Sequence, residues 1–128
     1  MEYMPTIQEA QRYLTNAKEI LSEKASKNGD YYNDSKYVKM AGDTAWKGVL
    51  LALDTVFNVK TKPRQRVSVD DYKAAVAKRN KHVLTYVHTG YQILHLYMGY
   101  DGVLSYQVCK TGLEEAEKII TWCEKTVS

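Results

Sequence analysis

The amino-acid sequence predicts an all-α fold: an antiparallel up-and-down four-helix bundle, or five helices if one of the long ones breaks. Three observations carry this. Apolar residues recur at three- and four-residue spacing through most of the 128 residues. No segment alternates with period two over a useful length, which argues against a sheet. The 2 prolines and 7 glycines are scattered singly and mark ends or weak points of the periodic stretches. At 45% hydrophobic and 26% charged, the chain is too apolar for disorder. Its longest apolar run, residues 49–53, is far shorter than the roughly 18 residues of a membrane span. A single domain, residues 1–128, is expected at this length.

The first helix is expected over residues 6–25. Thr6 with Glu9 forms a Thr-x-x-Glu capping box after Pro5, and Ile7, Ala10, Tyr13, Leu14, Ala17, Ile20 and Leu21 make one stripe. Lys27-Asn28-Gly29-Asp30 ends it, with Gly29 suited to a left-handed cap. The second helix is expected over residues 34–59. Its buried face is read as Tyr37, Met40, Ala41, Thr44, Ala45, Gly48, Val49, Leu51, Ala52, Val56 and Phe57, with small residues that admit a close neighbour. Asp43 and Lys47 are an i,i+4 pair, and Asp54 falls near the same line. Residues 60–67, with Pro63, read as a loop.

Ser68, followed by Asp70 and Asp71, starts a third helix that can run unbroken to residue 98, with Gly90 as its weak point. Tyr72, Ala75, Val76, Val83, Tyr86, Val87, Tyr91, Leu94, Tyr97 and Met98 supply its core face. Gly99-Tyr100-Asp101-Gly102 is a tight turn. The fourth helix covers residues 103–126, burying Leu104, Val108, Leu113, Ala116, Ile119, Ile120 and Cys123, and Gly112 is a point of interruption.

Charge is unevenly spread. Residues 60–82 carry eight basic side chains (Lys60, Lys62, Arg64, Arg66, Lys73, Lys78, Arg79, Lys81) against Asp70 and Asp71, a net +6. The rest of the chain, with ten basic and thirteen acidic residues, is at −3. Such a strip is either a solvated loop and helix face or a contact for a polyanion. Cys109 and Cys123 share one helix, about 21 Å apart, and cannot pair with each other. Two free thiols, and an N-terminus without the basic segment and apolar core of a secretory signal, point to the cytoplasm.

Chemistry-bearing motifs are scarce. His82, His88 and His95 share the third predicted helix; His88 and His95 are nearly in line, and His82 is well round from both. The paired Glu-x-x-His motif of a helical metal centre does not occur, so no metal and no cofactor is expected. There is no nucleophile elbow and no glycine-rich phosphate cradle, which excludes a dehydrogenase or a nucleotide triphosphatase. Tyrosine is the odd count, 11 against a single Phe. Tyr31, Tyr32 and Tyr37, and Tyr86, Tyr91, Tyr97, Tyr100 and Tyr106, suit polar rims of a core, a protein interface, or stacked bases.

Tyr32-Asn33-Asp34-Ser35-Lys36-Tyr37, leading into Ala41-Gly42-Asp43-Thr44-Ala45-Trp46-Lys47-Gly48-Val49-Leu50, resembles the second helix of HEPN-domain proteins. The likeness extends through helix order and lengths over most of the chain, which also looks like a group of small uncharacterised Bacteroidetes proteins. The resemblance implies a four- or five-helix bundle that commonly dimerises. Some HEPN relatives are ribonucleases that use an arginine, a short spacer and a histidine; others bind nucleotides or partner proteins. Here Arg79 precedes His82 with only two residues between, shorter than the family's spacer, and His88 falls on the opposite helix face from Arg79. Lys81 stands at a suitable distance from His88, but lysine does not reproduce the forked guanidinium contact to phosphate.

The function expected from these readings is a non-catalytic helical interaction module, homodimeric or bound to another protein, and not attached to a membrane. The alternative is a HEPN-type ribonuclease or RNA-binding protein. Its binding residues would be Lys60, Lys62, Arg64, Arg66, Lys78, Arg79 and Lys81, with Arg79 and His82 on adjacent turns as the catalytic candidates.

Overall fold

Thr6 opens the first helix. Its Oγ1 accepts a hydrogen bond from the Glu9 backbone N–H and donates one to Glu9 Oε1, both at 3.1 Å, so one orphaned donor of the first turn is satisfied locally. Helix α1 (Ile7–Glu19) then widens, without a break, into a π-helical stretch, π1 (Ile20–Ala25). The computed structural model describes residues 4–59, 62 and 65–128. The loop residues Lys60, Thr61, Pro63 and Arg64 lie outside the described residues.

The helix end expected at Gly29 is a β-hairpin instead. Strands β1 (Lys27–Asn28) and β2 (Tyr31–Tyr32) pair antiparallel, with Lys27 opposite Tyr32 and Asn28 opposite Tyr31. Gly29, at φ +66°, takes the first central position of the two-residue turn, the place that needs glycine in a II′ hairpin. A third stretch of chain joins this ribbon: the Tyr32 N–H donates to Leu104 O at 2.8 Å and the Tyr106 N–H to Asp30 O at 2.9 Å. Between π1 and β1 stands Ser26, at φ 55° and ψ 141°, a conformation that only glycine adopts freely. Ser26→Gly is therefore expected to stabilise the fold by about 1 kcal/mol, read as a rise of about 3 °C in thermal midpoint.

Asp34 caps α2 (Ser35–Val56), accepting the Lys36 N–H at 3.0 Å. The helix stops three residues earlier than its sequence suggests, because Phe57 turns extended and its ring stacks on Trp122 at 6.1 Å. The buried face of α2 is also rotated from the expected one. Val38, Gly42, Trp46 and Leu53 are buried, whereas Met40 is exposed and Thr44 and Leu51 are half-buried.

The largest departure lies in the third predicted helix, which is two. Helix α3 (Val69–Ala77) starts at a full Ser68–Asp71 capping box and ends at Lys78. The N–H groups of both Arg79 and Asn80 close on Val76 O at 2.9 Å, and the Asn80 side chain accepts from the His82 and Val83 N–H groups at 3.0 Å. Asn80 is thus the cap of a new helix, α4 (Lys81–Gly90), and the chain bends at a residue whose side chain competes with helix continuation. After Gly90 the helix continues, but in the wider π register, as π2 (Tyr91–Tyr100). Ser105 caps the last helix, α5 (Tyr106–Val127), which runs through Gly112 uninterrupted, so Leu104 lies ahead of the helix and is exposed.

Side-chain pairs fix the directions of packing. Gln11 bonds to Glu124 at 3.0 Å and Lys18 approaches Glu117 at 3.7 Å, so α1 and α5 run antiparallel. Ser35 reaches Gly102 O at 2.9 Å while Gly42 abuts Leu94 and Met98, so α2 and π2 also run antiparallel. Among the described residues, five helices therefore form an up-and-down bundle around one core, in which Leu53, Leu94, Met98 and Ile119 are fully buried. Asp54, the buried acid of the described residues, accepts the Tyr72 hydroxyl at 2.7 Å and ties α2 to α3. Tyr72→Phe removes that buried hydrogen bond and is expected to cost about 1–3 kcal/mol in a denaturant titration.

Candidate functional site

The basic segment reaches solvent. Lys62, Arg66, Lys78, Arg79, Lys81 and His82 are all exposed, while Lys60 and Arg64 lie outside the described residues. The ion pairs of the described residues, Lys18–Glu117 and Lys118–Glu115, involve none of these side chains. The helix break changes the relation of the two catalytic candidates. Arg79 precedes the Asn80 cap and His82 sits in the first turn of α4, so the two do not occupy adjacent turns of one helix. Neither side chain is hydrogen-bonded among the described residues.

The other histidines are occupied elsewhere. His88 Nδ1 lies 3.1 Å from Lys73 Nζ. His95 stacks on Tyr91 at 5.2 Å and lies 6.4 Å from the Trp46 ring. The change to π register at Tyr91 falls between His88 and His95 and alters the rotation that would align them. Among the described residues no group of three His, Cys, Asp or Glu side chains is placed to hold a metal ion. Asp43 does not pair with Lys47; its carboxylate lies against Gly99.

Cys109 and Cys123 are buried and unpaired on α5. Burial pushes the Cys109 thiol up to about 11 and the Cys123 thiol up to about 12, so neither supplies a thiolate near neutral pH.

Two features appear only in three dimensions. One is a cleft of about 480 Å³ where π1, the hairpin and α5 meet, with Leu21 and Leu113 as apolar lining, Tyr32 and Tyr106 beside them, and Lys18, Lys27 and Lys110 at its rim. The Lys27 ammonium stands 4.0 Å over the Tyr106 ring, and the Tyr32 and Tyr106 rings are 5.9 Å apart. Burial, with Cys109 and Tyr106 beside it, pushes the Tyr32 hydroxyl up to about 12, so it remains a donor at neutral pH. Sequence periodicity places Lys18 outside the helical stripe and says nothing of the hairpin. The Gly29-Asp30 pair, a known signal for a two-residue hairpin turn, is the available clue.

The second feature is a concentration of exposed apolar side chains. Of the seven large exposed hydrophobics among the described residues, Tyr31, Met40, Tyr97, Tyr100 and Leu104 belong to segments stitched together at the hairpin end of the bundle. The stitches are the Tyr32–Leu104 bond, the Tyr31–Ser105 bridge, the bond from Val103 N–H to Tyr97 O at 2.9 Å, and the Ser35–Gly102 bond. Tyr100 is 79% exposed and Tyr31 62%. No helix of the described residues is long and apolar enough to cross a membrane.

Fold and surface define an all-α five-helix bundle with a tyrosine-rich end and a lysine-rimmed cleft. Residues 5–125 match the model of a domain of unknown function, DUF5618, and the chain belongs to that family. A solved structure, a protein of unknown function from Dyadobacter fermentans, is similar at 46% identity over 95% of each chain, with a TM-score of 0.87. No curated protein matches the chain.

Proposed function

We propose that the protein is a non-catalytic, HEPN-like interaction module of the bacterial cytoplasm that pairs with a second copy of itself through its hairpin end. The observation that carries this reading is the gathering of Tyr31, Met40, Tyr97, Tyr100 and Leu104 on adjoining segments. Tyrosine and methionine are enriched in protein contacts, and exposed apolar side chains grouped at one end of a fold are uncommon on a monomer. The buried free thiols fit a reducing compartment.

Sedimentation velocity over about 1–100 μM should show a concentration-dependent dimer. Tyr97→Glu with Tyr100→Glu should shift it to monomer with an unchanged far-UV spectrum, since both side chains are exposed. A wild-type chain that is monomeric throughout overturns the pairing.

RNA binding is the second reading, favoured by the exposure of Lys62, Arg66, Lys78, Arg79 and Lys81 without ion pairs among the described residues. Anisotropy of a labelled single-stranded RNA at low and moderate salt tests it. Salt-sensitive binding that weakens and loses slope in Arg79→Ala supports this reading, and no binding at low salt retires it.

A further inference from the structure

We propose that the cleft between π1, the β1–β2 hairpin and α5 binds a small organic monoanion with an apolar body of roughly aromatic-ring size. Lys27 and Lys110 hold the head of such a ligand, and Leu113 and the two tyrosine rings hold the body.

The cleft is built by three parts of the chain. Lys18 and Leu21 come from the first helix and its π stretch, Lys27 and Tyr32 from the hairpin, and Tyr106, Lys110 and Leu113 from α5. Its volume of about 480 Å³ is within the usual range for small-ligand sites, which combine an apolar lining with a few placed polar groups. A π stretch is an uncommon helical geometry often found at functional sites, and here it supplies part of the wall through Leu21 and Ser22.

Charge decides the sign of the ligand. Three lysines face Glu114 and Glu117, and Glu117 is engaged by Lys18 at 3.7 Å. Lys27 and Lys110 then outnumber Glu114 by one, which favours a single negative charge. The Lys27 ammonium is held over the Tyr106 ring, and a cation held by a ring face keeps its other side for an anion. The Tyr32 hydroxyl, protonated at neutral pH and without a hydrogen-bond partner among the described residues, adds a neutral donor. The body of the ligand covers the half-buried Leu113 and meets rings whose faces are tilted by 58°.

The test is a pair of probes of nearly equal shape, 3-phenylpropionate and 3-phenylpropan-1-ol. Each is titrated into the ¹⁵N-labelled full chain to about 5 mM at about pH 7.5, with amide shifts as the readout. The expected result is saturable shifts at Leu21, Ser22, Lys27, Tyr32 and Lys110, with the acid about tenfold tighter than the alcohol. Lys27→Gln and Lys110→Gln should each weaken the acid about fivefold and leave the alcohol and the far-UV spectrum unchanged. Failure of the acid to saturate overturns the proposal. So does equal affinity for acid and alcohol, or shifts confined to Tyr97 and Tyr100, which would report the exposed tyrosine end. Because dimerisation is read separately by sedimentation, this proposal and the pairing stand or fall independently.

Discussion

Gly42→Ala should be among the most damaging single-methyl changes in this protein, costing about 3 kcal/mol or more and about 10 °C in thermal midpoint. A Cβ at residue 42 would fall 2.5 Å from Leu94 O, 2.6 Å from Met98 Cβ and 2.8 Å from Gly99 N. Two of these neighbours are backbone atoms of π2, so no rotamer change relieves the clash. The crossing of α2 over π2 must open instead, taking with it the fully buried Leu94 and Met98. Gly90→Ala is the internal control. There a Cβ meets Ile119 Cδ1 at 3.6 Å and Trp46 Cζ3 at 3.9 Å, which is ordinary contact. Helix propensity then governs, and the change should stabilise by about 0.5–1 kcal/mol. Opposite signs from one added methyl at two helical glycines, measured by denaturant titration, would establish that the π2 crossing is set by backbone contact. A cost below about 1 kcal/mol at residue 42 would show that the crossing has slack.

Alkaline pH should unfold the protein earlier than it unfolds most helical bundles. Three buried groups lose a proton less readily when folded: Cys123 rises from 9.0 to about 12, Cys109 from 9.0 to about 11, and Tyr32 from 10.0 to about 12. Desolvation is the first cause for all three. A group whose folded value lies above its unfolded one stabilises the fold fully below the unfolded value, and that stability is lost as pH climbs through the folded value. The thermal midpoint is therefore expected to be flat to about pH 8.5 and to fall by about 5 °C or more by about pH 10.5. Cys123→Ala should lower the midpoint at every pH, by opening a small cavity, yet make the alkaline slope shallower. A slope unchanged by this substitution would assign the alkaline loss to other groups.

Where the sequence is informative and where it is not follows from the range of the forces involved. Thr6 and Ser68 both cap helices as read, because a cap is settled by neighbours within three residues. Asn80 was missed although it is the same chemistry: Lys78, Arg79 and Lys81 favour a helix, and a mid-run Asn looks like an ordinary polar position until its side chain turns back to His82 and Val83. The rotated face of α2 was missed because Met40, Thr44 and Leu51 satisfy a three-four spacing as well as Val38, Trp46 and Leu53 do. The choice between the two stripes is made by Gly42 and Gly48, whose lack of side chains lets π2 and α1 approach. The cleft was beyond the sequence altogether, since Lys18, Lys27 and Lys110 are brought together by packing across 92 residues of chain.

The two tryptophans sit in separate surroundings, and this makes the native chain its own pair of fluorescent reporters. Trp46 is buried on α2, edge-on to Tyr91 at 5.6 Å, and so reads the seam with π2. Trp122 is half-buried on α5, stacked on Phe57, and reads the far end of α2. Trp122→Phe leaves an emission from the first seam alone, and Trp46→Phe one from the second. Coincident unfolding curves from the two variants, after allowance for each one's own stability, identify a bundle that opens as one cooperative unit. Separated curves identify which seam parts first.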